Sequence, residues 1–197
     1  MTKFLTFISL FIFSQMLSIT AYAISSKCRL VGDKDKIKLT WTAYKTEKKV
    51  AVNGSFNNIE VNLPKKEKTI DQLIYHTTFN IDLSSVKSGD SLRDKKISQF
   101  FFGKFTKGVV ASGYFKKPKK GQVGLVLQMN GVKKTIPLDF TFSENKLVAK
   151  GGLNVLDFSA SEALKQLAEA CAVKHEGKTW PEVDVQFEAE FKLDCSK

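Results

Sequence analysis

Asn130-Gly131-Val132-Lys133-Lys134-Thr135-Ile136-Pro137-Leu138-Asp139-Phe140-Thr141-Phe142 is the stretch that decides the fold. Val132, Lys134, Ile136, Leu138, Phe140 and Phe142 fall on one face, and Lys133, Thr135, Asp139 and Thr141 on the other. A period of two is the signature of a strand with one dry and one wet face. Just before it, Val123, Leu125, Leu127 and Met129 alternate in the same way. Asn130-Gly131 joins the two runs, and Asn-Gly is the strongest short hairpin signal because both central turn residues need positive φ.

The same rhythm runs outward in both directions. Ile37 to Tyr44, Val50 to Phe56, Ile59 to Leu63, Phe79 to Leu83 and residues 108–115 read as strands before the hairpin. Leu147 to Val155 and Val183 to Leu193 read as strands after it, the last with Asp184, Gln186, Glu188, Glu190 and Lys192 facing out. Many short alternating strands imply an antiparallel sandwich or a closed barrel, and the lack of a βαβ rhythm excludes a doubly wound fold. Helical spacing appears at 91–101, with Leu92, Ile97, Phe100 and Phe101 on one face, and at 159–171. Ser159 and Glu162 predict a capping box for the second helix. Residues 66–74 predict a short helical turn.

The chain of 197 residues suits one domain, and its 43% hydrophobic and 26% charged residues are ordinary for a globular protein. Residues 1–23 stand apart. Lys3 gives a basic start, Phe4 to Phe13 an apolar run, and Ala21-Tyr22-Ala23 small residues at a cleavage spacing. A spanning helix is the alternative, but Ser14, Gln15 and Ser18 break a run already short of the ~20 residues needed. Cleavage after Ala23 is expected. Removing these 23 of the 197 residues leaves 174, and the loss of Lys3 takes the formal charge from +11 to +10. Cys28, Cys171 and Cys195 then read as the cysteines of an exported protein, with one disulfide permitted and one thiol over.

The charge is almost all lysine. Arg29 and Arg93 are the only arginines among 31 basic residues, which argues against base-reading or bidentate phosphate clamps. No specific nucleic-acid partner is expected. Lys116-Lys117-Pro118-Lys119-Lys120 reads first as a solvated hairpin tip and second as a weak contact with an anionic membrane surface. His76 and His175 are too scattered for a metal site. Cys171 and His175 stand four apart, but no acid, base and nucleophile converge, so an enzyme is not expected. Arg93-Asp94 reads as a loop-fixing pair, and Trp180-Pro181 as the start of the last strand.

Three passages together resemble one family. Phe79-Asn80-Ile81-Asp82 leads into Ser88-Gly89-Asp90-Ser91-Leu92-Arg93-Asp94-Lys95-Lys96 and Phe100-Phe101. The hairpin from Leu125 to Leu138 follows, and then Asp157-Phe158. In this order they resemble the YceI-like proteins over roughly residues 36–193. The sequence departs from the family pattern at Lys96, at Phe102-Gly103-Lys104-Phe105, at Val155-Leu156 and in a longer helical stretch at 159–182. The resemblance implies an all-β, lipocalin-like antiparallel barrel of about eight strands with one or two covering helices, occupying residues 24–197. It also implies an exported, periplasmic or secreted carrier that holds an isoprenoid or fatty-acid-like lipid, with no other cofactor.

In such a barrel the first and last strands run antiparallel, so the resemblance implies a Cys28–Cys195 disulfide and a free Cys171. The inward stripe that would hold the ligand comprises Trp41, Phe56, Phe79, Ile81, Leu127, Met129, Leu138, Phe140, Leu153, Phe158, Phe187 and Phe191. A barrel of about eight strands is just wide enough to be filled by side chains or to hold one small ligand. The competing expectation is therefore a solid-cored structural or protein-interaction module, with a homodimer among its partners.

Overall fold

Alternation along the chain becomes one curled antiparallel sheet. The computed structural model describes residues 28–176 and 178–195; the cleavage signal expected at 1–23 lies outside them. Ten strands form: β1 (Cys28–Lys45), β2 (Val50–Phe56), β3 (Ile59–Asn62), β4 (Thr78–Asp82), β5 (Val86–Lys87), β6 (Val110–Phe115), β7 (Gln122–Met129), β8 (Val132–Ser143), β9 (Lys146–Asn154) and β10 (Thr179–Cys195). The helices are α1 (Ile70–Tyr75), α2 (Ser91–Phe100), α3 (Ser161–Ala170) and α4 (Ala172–His175). Strand order is β3-β4-β6-β7-β8-β9-β10-β1-β2-β5, all antiparallel.

The two ends of that order meet. β2 runs into β3 through a bend at Asn57–Asn58, and β4 runs into β5 through a short turn at Leu83–Ser85. The Asn57 N–H donates to the Ser85 carbonyl at 2.9 Å, and the Asp82 N–H to the Asn58 carbonyl at 3.1 Å. One bent strand thus pairs with β1 along its first half and with β4 along its second. Counted as bent strands, the pairings go round a barrel-like sheet of eight, the number expected.

The Asn130-Gly131 hairpin forms as its turn chemistry requires: Asn130 has φ 47° and Gly131 φ 76°. Asn130 also does more than turn. Its buried side chain accepts from the N–H groups of Thr106 and Lys107 and donates to the carbonyls of Phe158 and Ser159. That grip changes the start of α3. Ser159 takes the left-handed conformation (φ 54°, ψ 36°), and α3 begins two residues later behind a fully buried Ala160 with no side-chain cap. The expected Ser159–Glu162 capping box is therefore absent.

α2 starts where Asp90 accepts from the N–H groups of Leu92 and Arg93 at 3.0 and 3.1 Å. These bonds hold the Asp90 carboxyl below its usual range. Arg93 and Asp94 make no direct ion pair; both clasp Ser88, Arg93 by donating to its hydroxyl and carbonyl and Asp94 by accepting from its N–H and hydroxyl. The loop is fixed, through an intermediary. Leu92 faces out, 67% exposed, while Phe101 is buried. The Lys96 ammonium donates to the Ala170 carbonyl at 2.6 Å and ties α2 to the end of α3. α1 forms over part of the expected helical turn, with Thr69 accepting from the Gln72 N–H.

Cys28 and Cys195 are register partners at the ends of β1 and β10 and form a disulfide, while Cys171 is free and buried. Lys116–Lys120 sits in the connection between β6 and β7, its lysines exposed and Pro118 buried. Among the described residues no helix is long and apolar enough to cross a membrane.

Candidate ligand-binding interior

The inward face of the sheet and the helices over it do not meet everywhere. Between them lies a cavity of about 160 Å³. Strands supply Trp41, Leu127, Met129 and Leu153; the helical cover supplies Ile97, Phe101, Phe102, Leu164 and Leu167. Phe101, Phe102 and Phe105 pack edge to face with centroids 5.0, 5.4 and 5.5 Å apart, and Phe56 approaches Phe102 at 5.9 Å. Phe56, Phe101 and Phe102 of this set line the cavity.

Polar demand inside is almost nil. The Trp41 indole N–H donates to the Ser55 carbonyl at 3.2 Å, and the Trp180 indole N–H to the Thr46 carbonyl at 2.7 Å. Thr179 is the only other lining residue with a polar side chain. An apolar void whose few polar groups are paired does not attract water. Trp41 fits because its register partner is Gly54, where an added Cβ would lie 2.2 Å from the indole. At the rim, the ammonium groups of Lys49 and Lys178 lie 4.3 and 4.6 Å from the Trp180 ring centroid.

A second cavity of about 120 Å³ lies beyond, next to α1, with Ile37, Leu63, Leu73, Phe115 and Phe191 in its wall. Glu188 stands at its edge, and an ion pair with Lys146 at 2.6 Å holds its carboxyl below the usual range. Leu39, Phe79, Ile81 and Phe187 line both cavities.

The structure brings together most of the stripe read from the sequence. Trp41, Phe56, Leu127, Met129 and Leu153 line the larger cavity, Phe79, Ile81 and Phe187 both, and Phe191 the smaller. Leu138, Phe140 and Phe158 line neither. Leu138 and Phe158 are each 1% exposed, Leu138 pressed on Gly151 and Phe158 beneath the Asn130 side chain. Phe140 is half-buried against the core opposite Ala149. Sequence reading leaves out the helical lining at Ile97, Phe101, Phe102, Leu164 and Leu167, although the spacing of Ile97 and Phe101 marks an apolar face.

Other candidate chemistry disperses. The chain leaves helical geometry at Cys171 (φ −116°, ψ 10°), so Cys171 and His175 do not share one continuous helix. His76 sits at the end of α1, half-exposed, with Nδ1 2.7 Å from Glu67. Among the described residues no three His, Cys, Asp or Glu side chains gather into a metal site.

Curled sheet, helical cover and apolar interior define a lipocalin-like architecture. Residues 30–191 match the model of the YceI-like domain, and the chain belongs to that family. A polyisoprenoid binding domain from Saccharophagus degradans, implicated in plant cell wall breakdown, superposes with TM-score 0.58 at 16% identity, over 85% of this chain and 99% of that one. Burkholderia cenocepacia BcnA superposes with TM-score 0.55 at 14% identity, over 83% and 99%. No curated protein matches the sequence.

Proposed function

We propose that the protein binds the apolar chain of a lipid-like amphiphile, of the isoprenoid class, inside the curled sheet. The observation that carries this reading is the larger cavity, whose wall is apolar apart from Thr179 and two indoles with their N–H groups already paired. Such a wall can bury a hydrocarbon and offers little to a polar solute. The polyisoprenoid binding domain from Saccharophagus degradans has the same fold and supports the ligand class. Two voids in the interior also favour a carrier over a solid-cored interaction module.

The protein acts outside the cytoplasm in this reading, in the periplasm or as a secreted protein. The Cys28–Cys195 disulfide supports it, since such bonds persist in oxidising compartments. The basic start, apolar run and Ala-Tyr-Ala of residues 1–23 support it independently.

Native mass spectrometry of protein purified from the exported fraction without added lipid, paired with organic extraction, tests the proposal. The expected result is a bound, solvent-extractable lipid on a chain that begins after Ala23. A bare protein mass, together with no uptake of added isoprenoid alcohol, would sink it.

A further inference from the structure

The interior is divided, and the divider is aromatic. Phe79, Phe115 and Phe187 meet with centroids 5.9, 6.0 and 5.8 Å apart, all tilted or edge-on. They come from β4, β6 and β10, so the trio spans the space between distant parts of the sheet. On one side lies the cavity of about 160 Å³, on the other the cavity of about 120 Å³. Neither alone has room for a long chain: a dry apolar cavity of about 150 Å³ takes one benzene-sized group.

The two central rings are held differently. Phe79 is pinned. Its register partner is Gly113, and a Cβ there would come 2.4 Å from the tip of the Phe79 ring. The ring therefore lies against bare backbone, with no side chain to push it aside. Phe187 is looser. It borders both voids as Phe79 does, yet it is only partly buried where Phe79 is 6% exposed. Its register partners on the neighbouring strands are Leu39 and Ala149.

We propose that Phe187, closing against the fixed Phe79 ring, is an internal gate that sets the length of chain the protein binds. The inference rests on the lipid-chain reading above. Short chains fill one chamber with the gate shut. Longer chains must turn Phe187 aside, and the loss of its packing against Phe79 and Phe115 offsets the burial of the added carbons. Binding should therefore strengthen with each methylene until the first chamber is full, and then level off.

Straight-chain 1-alkanols from propanol to octadecanol are the probes, titrated by calorimetry and by the fluorescence of Trp41 and Trp180, which line only the larger cavity. For wild type, Kd should fall about fourfold per added methylene over the short chains and then flatten. In Phe187→Ala the two chambers merge, and the flattening should move to chains longer by roughly four to six carbons, the room the smaller cavity adds. Phe187→Leu, which replaces the ring with a smaller apolar side chain, carries the test if the alanine variant does not fold. A wild-type series with no levelling, or variants that level off at the wild-type length, would overturn the gate and leave the lipid reading standing. Failure of every alcohol to bind wild type would overturn both.

Discussion

Breaking the disulfide is the perturbation with the most calculable consequence. Cys28 and Cys195 are 167 residues apart in sequence. Joining two such positions removes chain freedom from the unfolded state, by about 5 kcal/mol at 25 °C for a loop of this length in the chain-entropy account. The native state loses little else. β1 and β10 stay paired from Cys28–Cys195 to Lys45–Thr179, interrupted only by two register shifts. The double variant Cys28→Ser/Cys195→Ser should therefore fold and melt early. At about 2–4 °C per kcal/mol for a domain of this size, the fall in Tm should be roughly 10–20 °C. Thermal unfolding followed by circular dichroism measures it, with the wild type run with and without reductant. The single variant Cys171→Ser is the control and should shift far less. A double variant within about 4 °C of wild type, together with a wild type unmoved by reductant, would show that the loop-closure reasoning fails for this fold.

Leu127→Trp places a larger side chain in the wall of the bigger cavity, opposite Gly113; lipid uptake should be lost while the circular dichroism spectrum is retained. Asn130→Ala removes a side chain with four hydrogen bonds to backbone groups, and denaturant unfolding should show a loss of about 3 kcal/mol. The Asp90 carboxyl is held below its usual range by the N–H groups of Arg93 and Leu92, so its contribution to α2 is complete above the unfolded value of about 3.9 and lost as pH falls through the lower folded value. The stability gap between wild type and Asp90→Ala should thus be constant from about pH 5 upward and narrow in acid, as read from urea midpoints.

What the sequence made legible follows from what alternation can encode. A period of two tells which face of a strand is dry, and that placed Trp41, Leu127, Met129 and Phe187 inside. It does not tell how far along the barrel a dry residue sits. Leu138 and Phe158 share the apolar pattern but land where neighbours pack down to 1% exposure, whereas Leu127 lands beside a void. The helical half of the cavity wall was hidden for another reason. An apolar face at 91–101 says that the helix covers something, and only the tertiary fold says what. Ser159 misled because its capping pattern is a local signal, and the Asn130 side chain, 29 residues away, holds its carbonyl in a different geometry. β5 is two residues long and has no pattern to read.

The pairing of β1 with β10 also orders events in time. The strand formed earliest in the chain has its most extensive partner in the strand formed last. Until residues 179–195 exist, β1 can pair only over Trp41–Lys45 with β2 and through a single bridge from Leu30 to Glu67. Contacts between such distant segments form slowly, because the long intervening chain must be brought together first. In a nascent chain of this design β1 lacks its main partner until the final segment arrives, a timing compatible with the export proposed above.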